Sequence, residues 1–337
     1  MHRTWPLTSL LLAGAACGPA LPEGPVEEPC AGMRLEVIDQ AVAPPANVAA
    51  RVRVTSCEGE PLPARLDPTS FLLAEDERVL SEFEAQRLIK PLDRDTVQLA
   101  VVALDLSGSV VRSGLRDEMV AGARGLVDAL APKHKVAIFG FDGRPDLIPF
   151  TYFTQDPIEL HSALDVLVEA PLVDDSTNLH GAVINAVALL DEAIRIEAEK
   201  DRVAQGSLVI FTDGSDRAGR QTMSEATEAV SDSEHAAFTI GVGAEIDPAT
   251  LETLGPDGHV VAGDASQLVG AFERVAALVK ARAETDYLVS YCSPARAGAH
   301  LLEVRATSGE RAGDVTIAFE ADGFGAGCAP ESAPLMR

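Results

Sequence analysis

The sequence has 337 residues, of which 47% are hydrophobic, and this is enough for two domains with hydrophobic cores. Asp and Glu number 52 against 27 Lys and Arg, so the formal net charge is −25. A surface this acidic repels nucleic acids and anionic lipid headgroups, which excludes both as partners. Aromatic residues make up only 4% of the chain, too few for a surface that stacks bases or sugars.

The N-terminus has the pattern of an export signal over residues 1–16. A short apolar region, Leu7–Ala16, precedes Cys17 and is too short to span a bilayer. The pattern resembles a bacterial lipoprotein signal and implies a lipidated Cys17 in the cell envelope, facing the periplasm or the cell surface. Gly14-Ala15-Ala16 departs from the usual Leu-led motif, so cleavage near Ala15, Ala16 or Ala20 and release as a secreted protein is the alternative. No other stretch is long and apolar enough for a membrane helix, so membrane contact is expected only through the lipid.

Export would place the remaining four cysteines in an oxidising compartment. They are Cys30, Cys57, Cys292 and Cys328. An even number in an oxidising compartment predicts two disulfides, for which three connectivities are possible. Pairing of sequence neighbours, Cys30 with Cys57 and Cys292 with Cys328, is the favoured choice. A thiolate metal site is the rival interpretation, but the sequence has no Cys-x-x-Cys spacing.

After a Pro/Glu-rich tether over residues 17–29, residues 30–95 predict a small β unit. The segments with the character of strands are Met33–Ile38, Val48–Thr55, Phe71–Ala74 and Phe83–Ile89. The second of them places Val48, Ala50, Val52 and Val54 on one face and Arg51 and Arg53 on the other. This unit has too few strands for a complete sandwich.

Between residues 97 and 283 strands and helices alternate, which predicts an α/β domain with a doubly wound, mostly parallel sheet. The expected strands are Leu99–Leu104, Val136–Phe141, Leu147–Phe153, Leu208–Thr212, Ala237–Val242 and His259–Ala262. The expected helices are Leu115–Leu130, Asp156–Val168, Leu179–Glu199, Thr222–Ser231, Pro248–Leu254 and Ser266–Ala283.

Residues 284–330 return to β character, with strands expected at Tyr287–Tyr291, His300–Ala306 and Val315–Phe319. This second β unit is as incomplete as the first one. We therefore expect the two to pack together as one discontinuous, β-sandwich-like domain, with the α/β domain inserted between its halves. Residues 331–337 are expected to form a loose tail.

Oxygen-bearing side chains follow two of the buried strands. Asp105, Ser107 and Ser109 come directly after the strand that begins at Leu99, and Asp213 follows the strand that begins at Leu208. Parallel strands share one rim at their carboxyl ends, where open α/β sheets bind ligands, and the loop carrying Thr177 can reach the same rim. These hard oxygens suit Mg²⁺, Mn²⁺ or Ca²⁺ better than Zn²⁺. The alternative is that Asp-x-Ser-x-Ser only caps a helix, with Ser109 as its N-cap.

The segments Asp105-Leu-Ser-Gly-Ser109, Asp-Ser-Thr177-Asn-Leu and Phe-Thr-Asp213-Gly resemble the metal-ion-dependent adhesion site of the von Willebrand factor type A (vWA) family. The resemblance covers residues 97–283, and the one departure is Ser176, where the family often has Gly. It implies that Ser107, Ser109 and Thr177 approach a divalent cation, most simply Mg²⁺, by their hydroxyls. Asp105 and Asp213 would do so directly or through water, and an Asp or Glu carboxylate of a protein partner would fill the sixth position.

Three functions are compatible with the sequence. The first is an exported binding module that holds a protein partner through the cation, in adhesion or in complex assembly. The second is a metal-assisted hydrolase, but the sequence has no Gly-x-Ser-x-Gly, no His-Glu-x-x-His and no general base apart from the ligands, so a non-enzymatic role is expected. The third is an envelope scaffold in which the metal is only structural.

Overall fold

The computed structural model describes residues 30–81, 85–92, 96–200, 202–243 and 246–332. The expected signal peptide, the lipidation site Cys17, the tether and most of the tail lie outside these residues. The strands are β1 Arg34–Ala43, β2 Asn47–Thr55, β3 Phe71–Glu75, β4 Arg78–Val79, β5 Arg87–Pro91, β6 Val97–Asp105, β7 His134–Phe141, β8 Ile148–Thr154, β9 Ala204–Thr212, β10 Ala236–Val242, β11 Gly258–Ala262, β12 Asp286–Cys292, β13 Ala299–Ser308 and β14 Arg311–Glu320. The helices are α1 Gly108–Ser113, α2 Arg116–Leu130, α3 Pro157–Val168, α4 Leu179–Ala198, α5 Met223–Asp232, α6 Pro248–Leu254 and α7 Leu268–Arg282.

The α/β domain is built on a six-stranded sheet in the order β11-β10-β9-β6-β7-β8. Its strands pair in parallel except for β8, which runs antiparallel to β7 at one edge. In β6 the residues alternate between two hydrophobic cores: Ala100, Val102 and Leu104 face one, and Leu99, Val101 and Ala103 face the other. A strand covered by helices on both faces needs apolar residues throughout, which explains the continuous run. The predicted fold class is confirmed.

The flanking segments form two four-stranded antiparallel sheets, β1-β2-β12-β5 and β14-β13-β3-β4. Each sheet combines strands from before and after the α/β domain: β12 lies between β2 and β5, and β13 pairs with β3. A shared core of 23 buried residues, among them Leu73, Tyr287 and Val304, lies between the sheets. Neither segment alone has enough strands to cover this core, and for this reason the sandwich needs both.

Two local features differ from expectation. The short helix α1 begins within the predicted site, at Gly108, and its six residues are too few to show a helical period in the sequence. Strand β9 begins at Ala204, four residues before the apolar run, because Gln205 and Ser207 are buried despite their polarity. Among the described residues, no helix has both the length and the apolar character that crossing a membrane requires.

Both disulfides pair sequence neighbours, Cys30 with Cys57 and Cys292 with Cys328. The favoured connectivity is therefore confirmed, and these cysteines are unavailable as thiolate metal ligands. Each bridge constrains the sandwich: the first joins the segment before β1 to the end of β2, and the second joins the end of β12 to the segment after β14.

A buried carboxylate links the two domains. Asp286, the first residue of β12, accepts hydrogen bonds from Arg51 Nε at 2.8 Å and Arg53 Nε at 3.0 Å, both from the sandwich. From the α/β domain it accepts one from Gln205 Nε2 at 2.7 Å and one from Arg282 Nη1 at 3.4 Å. Burial by itself raises the pKa of Asp286, but the three arginines outweigh this effect and hold the pKa well below its usual range.

Candidate metal centre

The candidate site lies where two central strands end side by side. Leu104 is paired with Phe211, so the next residues of β6 and β9, Asp105 and Thr212, leave the sheet at the same rim. Asp213 follows Thr212 immediately. The sheet register therefore brings Asp105 and Asp213 together, as the sequence predicts from parallel pairing.

A chain of polar contacts joins four of the five predicted ligands. The backbone N–H of Ser107 donates to Asp105 Oδ1 at 2.8 Å. The hydroxyl oxygens of Ser107 and Ser109 are 3.2 Å apart, and the Ser109 hydroxyl donates to Asp213 Oδ1 at 2.7 Å. Two carboxylates and two hydroxyls thus lie around one point.

The serine hydroxyls are not used as helix caps. The N-cap of α1 is Ser107, and its side chain makes no capping hydrogen bond. Ser109 lies inside the helix, so the alternative that made Ser109 the N-cap is wrong. A capping serine would point its oxygen at the backbone N–H groups of the first turn. Here both hydroxyls point into the polar cluster instead.

Asp105 is completely buried, and this burial raises its pKa to about 7, against the opposing effect of hydrogen bonds from Ser107 and Thr212. The Thr212 hydroxyl donates to Asp105 Oδ2 at 2.7 Å and holds the carboxylate in place. Thr212 is a functional residue that the sequence reasoning missed. In the sequence, the only indication of a role for Thr212 is its position directly before Asp213. Among the residues that the structure describes, no Lys, Arg or His forms a hydrogen bond or an ion pair with Asp105, and a buried carboxylate of this kind is suited to an ion.

The fifth predicted ligand, Thr177, lies in a loop attached to the same rim. The N–H of Gly108, between the two serines, donates to the carbonyl of Asp175 at 3.1 Å. The carbonyl of Thr177 accepts from the N–H groups of Arg217 and Ala218, in the loop after Asp213. Thr177 is 3% exposed. The three loops are thus connected around the site by their backbones.

Asp142 follows β7 directly, a position typical of a solvated turn residue, but its side chain is buried. Asp142 is 2% exposed, and its carboxylate accepts from the backbone N–H of Arg144 and from its guanidinium. Its carbonyl accepts from Asn178 N–H, next to Thr177. Asp142 therefore connects the loop after β7 to the Thr177 loop.

The residues fit a hard divalent cation. Mg²⁺ binds oxygens at about 2.0–2.1 Å in octahedral geometry, which places neighbouring ligand oxygens about 3 Å apart. The separations of 3.2 Å between the serine oxygens and 2.7 Å between Ser109 and Asp213 bracket that value. The donor set of hydroxyls and carboxylates, without sulfur or imidazole, favours Mg²⁺, Mn²⁺ or Ca²⁺.

A second group of potential ligands, Glu75, Asp76 and His300, lies at one end of the sandwich. His300 Nδ1 is 2.6 Å from Asp76 Oδ2, and its Nε2 is 3.1 Å from the carbonyl of Ala297. Glu75 accepts a hydrogen bond from the hydroxyl of Tyr291 at 2.7 Å. The hydrogen bond to Asp76 raises the pKa of His300, and all three side chains have partners within the protein.

Comparison with curated proteins finds no match. Among solved structures, the chain is similar to a von Willebrand factor type A protein from Catenulispora acidiphila, with 14% identity and a TM-score of 0.46, covering 85% of this chain and 73% of that one. It is also similar to proximal thread matrix protein 1 from the mussel byssus, described with a zinc-occupied MIDAS motif (16% identity, TM-score 0.43, 62% of this chain and 49% of that one). A third similar structure is the manganese-loaded TRAP protein of Plasmodium vivax, with 14% identity and a TM-score of 0.43, covering 70% of this chain and 98% of that one.

A sequence model of the von Willebrand factor type A domain matches residues 100–274, more than half of the chain. The matched segment begins inside β6 and ends inside α7, so it contains the sheet, its helices and all three loops of the site. The chain belongs to the von Willebrand factor type A domain family.

Proposed function

We propose that this protein is a binding module that holds a carboxylate of a protein partner through a divalent cation, most simply Mg²⁺, at Asp105, Ser107, Ser109, Thr177 and Asp213. The observation that carries the proposal is the direction of the two serine hydroxyls. They leave the N-terminus of α1 uncapped and converge on Asp213 instead. Domains of this family are typically interaction modules, which supports a non-enzymatic role.

Each residue has a distinct part in this proposal. Ser107, Ser109 and Thr177 offer neutral oxygens, so the two aspartates are the only charged groups among the proposed ligands. The bound ion would supply positive charge that attracts an Asp or Glu side chain despite the acidic protein around it. Thr212 orients Asp105, and the backbone bond between Gly108 and Asp175 holds the serine loop against the Thr177 loop.

We further propose that the protein is exported to the bacterial envelope and anchored by a lipid on Cys17. Two disulfides support an oxidising compartment, since cytosolic thiols are kept reduced. The sandwich would then display the vWA domain away from the membrane. Mass spectrometry of the mature N-terminus tests the anchor: an unmodified residue other than Cys17 contradicts it and favours the secreted alternative.

Thermal unfolding in the presence of Mg²⁺, Mn²⁺ or Ca²⁺ tests the metal site. An ion at a hundred times its dissociation constant stabilises the native state by about 2.7 kcal/mol. For a chain of 337 residues that raises the melting temperature by roughly 4 °C. Asp105→Asn and Asp213→Asn should each abolish the increase, whereas Asp165→Asn, an exposed aspartate on α3, should keep it.

An unchanged increase in both site variants would refute the site. Capture of a partner from envelope extract, with and without EDTA, then separates adhesion from a scaffold role. If EDTA leaves the capture unchanged, the ion does not bridge the two proteins and the scaffold alternative is favoured.

A further inference from the structure

Three arginines belong to the helix and loops that follow strands β6, β7 and β9, the strands after which the candidate metal site and its neighbouring loops lie. Arg112 projects from α1, Arg144 from the loop after β7 and Arg220 from the loop after β9. We call these three residues the arginine rim. They are part of a protein whose net charge is −25, and none of them is among the proposed ligands.

Arg112 lies directly over the serine loop. A methyl group on Gly108, between Ser107 and Ser109, would come within 2.8 Å of the Arg112 guanidinium carbon. Arg112 Nη1 is 3.0 Å from Asp175 Oδ1, and both side chains are more than half exposed. Exposed ion pairs of this kind are weak, so Arg112 can leave Asp175 and pair with another carboxylate at a small cost in free energy.

Arg144 and Arg220 form the opposite side of the rim. Arg220 Nε donates to the carbonyl of Gly143 at 2.7 Å, which places Arg220 beside Arg144. The carbonyl of Arg144 accepts from the side-chain amide of Asn178 at 3.0 Å, directly after Thr177. The backbone of Arg144 is therefore fixed next to a proposed ligand, and the Arg220 side chain is held against the neighbouring residue Gly143.

The guanidinium groups retain donors for a further anion. Within the described residues, no hydrogen bond or ion pair uses Nη2 of Arg112, Nη1 of Arg144 or either terminal nitrogen of Arg220. The side chains of Asp142 and Asp216, in the same loops, are 2% and 4% exposed and accept from Arg144 and from backbone N–H groups. Asp174 and Asp175 are less buried: Asp174 accepts from the N–H of Ser176, and Asp175 is the carboxylate that pairs with Arg112. The accessible groups around the site thus include three guanidiniums with spare donors.

We propose that the arginine rim selects an acidic peptide segment, in which one Asp or Glu meets the cation and neighbouring carboxylates pair with Arg112, Arg144 and Arg220. This inference rests on the proposed function and names the class of partner that the site takes. Planar guanidinium groups bind carboxylates with two parallel N–H donors, which suits them to this task. Elsewhere the acidic surface repels such a segment, so recognition is confined to the rim.

Two synthetic peptides test the proposal by fluorescence polarisation in Mg²⁺. One has a single aspartate among glycines and serines, and the other has the same aspartate flanked by two glutamates on each side. We expect the second to bind about tenfold more tightly, because each exposed charge pair contributes a few-fold at most. The advantage should shrink as salt is raised from 50 to 300 mM, since salt screens exposed charges.

The double variant Arg112→Gln, Arg220→Gln should lose this preference yet keep the Mg²⁺-induced increase in melting temperature. Arg195→Gln, on the exposed face of α4, is the matched control and should retain the tenfold preference. Equal affinity of the two peptides in the wild-type protein overturns the inference and leaves the proposed function intact. The inference is also overturned, and the proposed function again left intact, if the acidic peptide does not bind at millimolar concentration although Mg²⁺ raises the melting temperature. If Mg²⁺ does not raise the melting temperature of the wild-type protein, the proposed function itself is refuted.

Discussion

Replacing Asp286 by Asn tests the buried junction between the two domains. Asp286 is the carboxylate that three arginines share, two from the sandwich and one from the vWA domain. The substitution keeps the shape of the side chain and removes its charge, leaving the guanidiniums of Arg51 and Arg53 largely buried without their main partner. Removing one member of a buried ion pair costs about 3–5 kcal/mol.

The lower end of this range applies here, because two of the arginines keep another carboxylate. Arg282 Nε remains 2.9 Å from Asp257 Oδ1, and Arg51 Nη1 is 3.9 Å from Glu234 Oε2. We therefore expect a loss of about 3 kcal/mol, or roughly 4 °C in melting temperature for a chain of 337 residues. Calorimetry of the oxidised protein at pH 7 measures the change.

The dependence on pH provides a second check. A carboxyl whose pKa is lower in the folded state contributes stability that is fully present above its unfolded value, about 3.9, and is lost as the pH falls further. The difference between wild type and Asp286→Asn should therefore be constant from pH 5 to 8 and shrink below about pH 4.

Glu284→Gln is the matched control, since Glu284 is a neighbouring but exposed carboxylate that pairs with Lys133 at 3.3 Å. It should change the stability by less than 0.5 kcal/mol, within the usual range for surface positions. If Asp286→Asn is destabilised by no more than this control, the junction is not held by its charge and the reasoning fails.

Two glycines of α2 and a histidine of β7 give further predictions. A methyl group on Gly122 would overlap the Phe272 ring of α7, so Gly122→Ala should destabilise the protein by about 1–3 kcal/mol. Gly125→Ala meets no atom within 4 Å and should stabilise it by roughly 0.5–1 kcal/mol; urea unfolding compares the two, and equal effects would contradict the close α2–α7 contact. Burial lowers the pKa of His134 to about 4 in the folded protein, below its ordinary value of about 6.5. Between these two pH values the unfolded chain binds the proton more tightly than the folded protein, so the free energy of unfolding decreases as the pH is lowered. Relative to His134→Gln, the wild type should lose about 3 kcal/mol between pH 7 and pH 4, and parallel pH profiles of the two proteins would contradict this.

Much of the fold could be predicted from local patterns. The apolar runs of β6, β7 and β10 and the capped helices α3 and α4 were expected almost to the residue, because burial on both faces of a sheet leaves few other sequences possible. The disulfide connectivity also followed from proximity along the chain. Helix α1 shows no such pattern, because six residues hold less than two helical turns.

Within the candidate site, the sequence by itself predicted Asp105, Ser107, Ser109, Thr177 and Asp213 as ligands, since each follows a strand or lies near the start of a helix. Only the tertiary structure decided what surrounds them. The hydroxyl of Thr212 reaches Asp105 because β6 and β9 are neighbours, although 107 residues separate the two side chains along the chain. The burial of Asp142, the sharing of Asp286 between two domains and the assembly of the arginine rim likewise depend on strands and loops distant in sequence. Local patterns determine which residues leave a sheet at its rim, whereas long-range register and loop packing determine which of those residues meet.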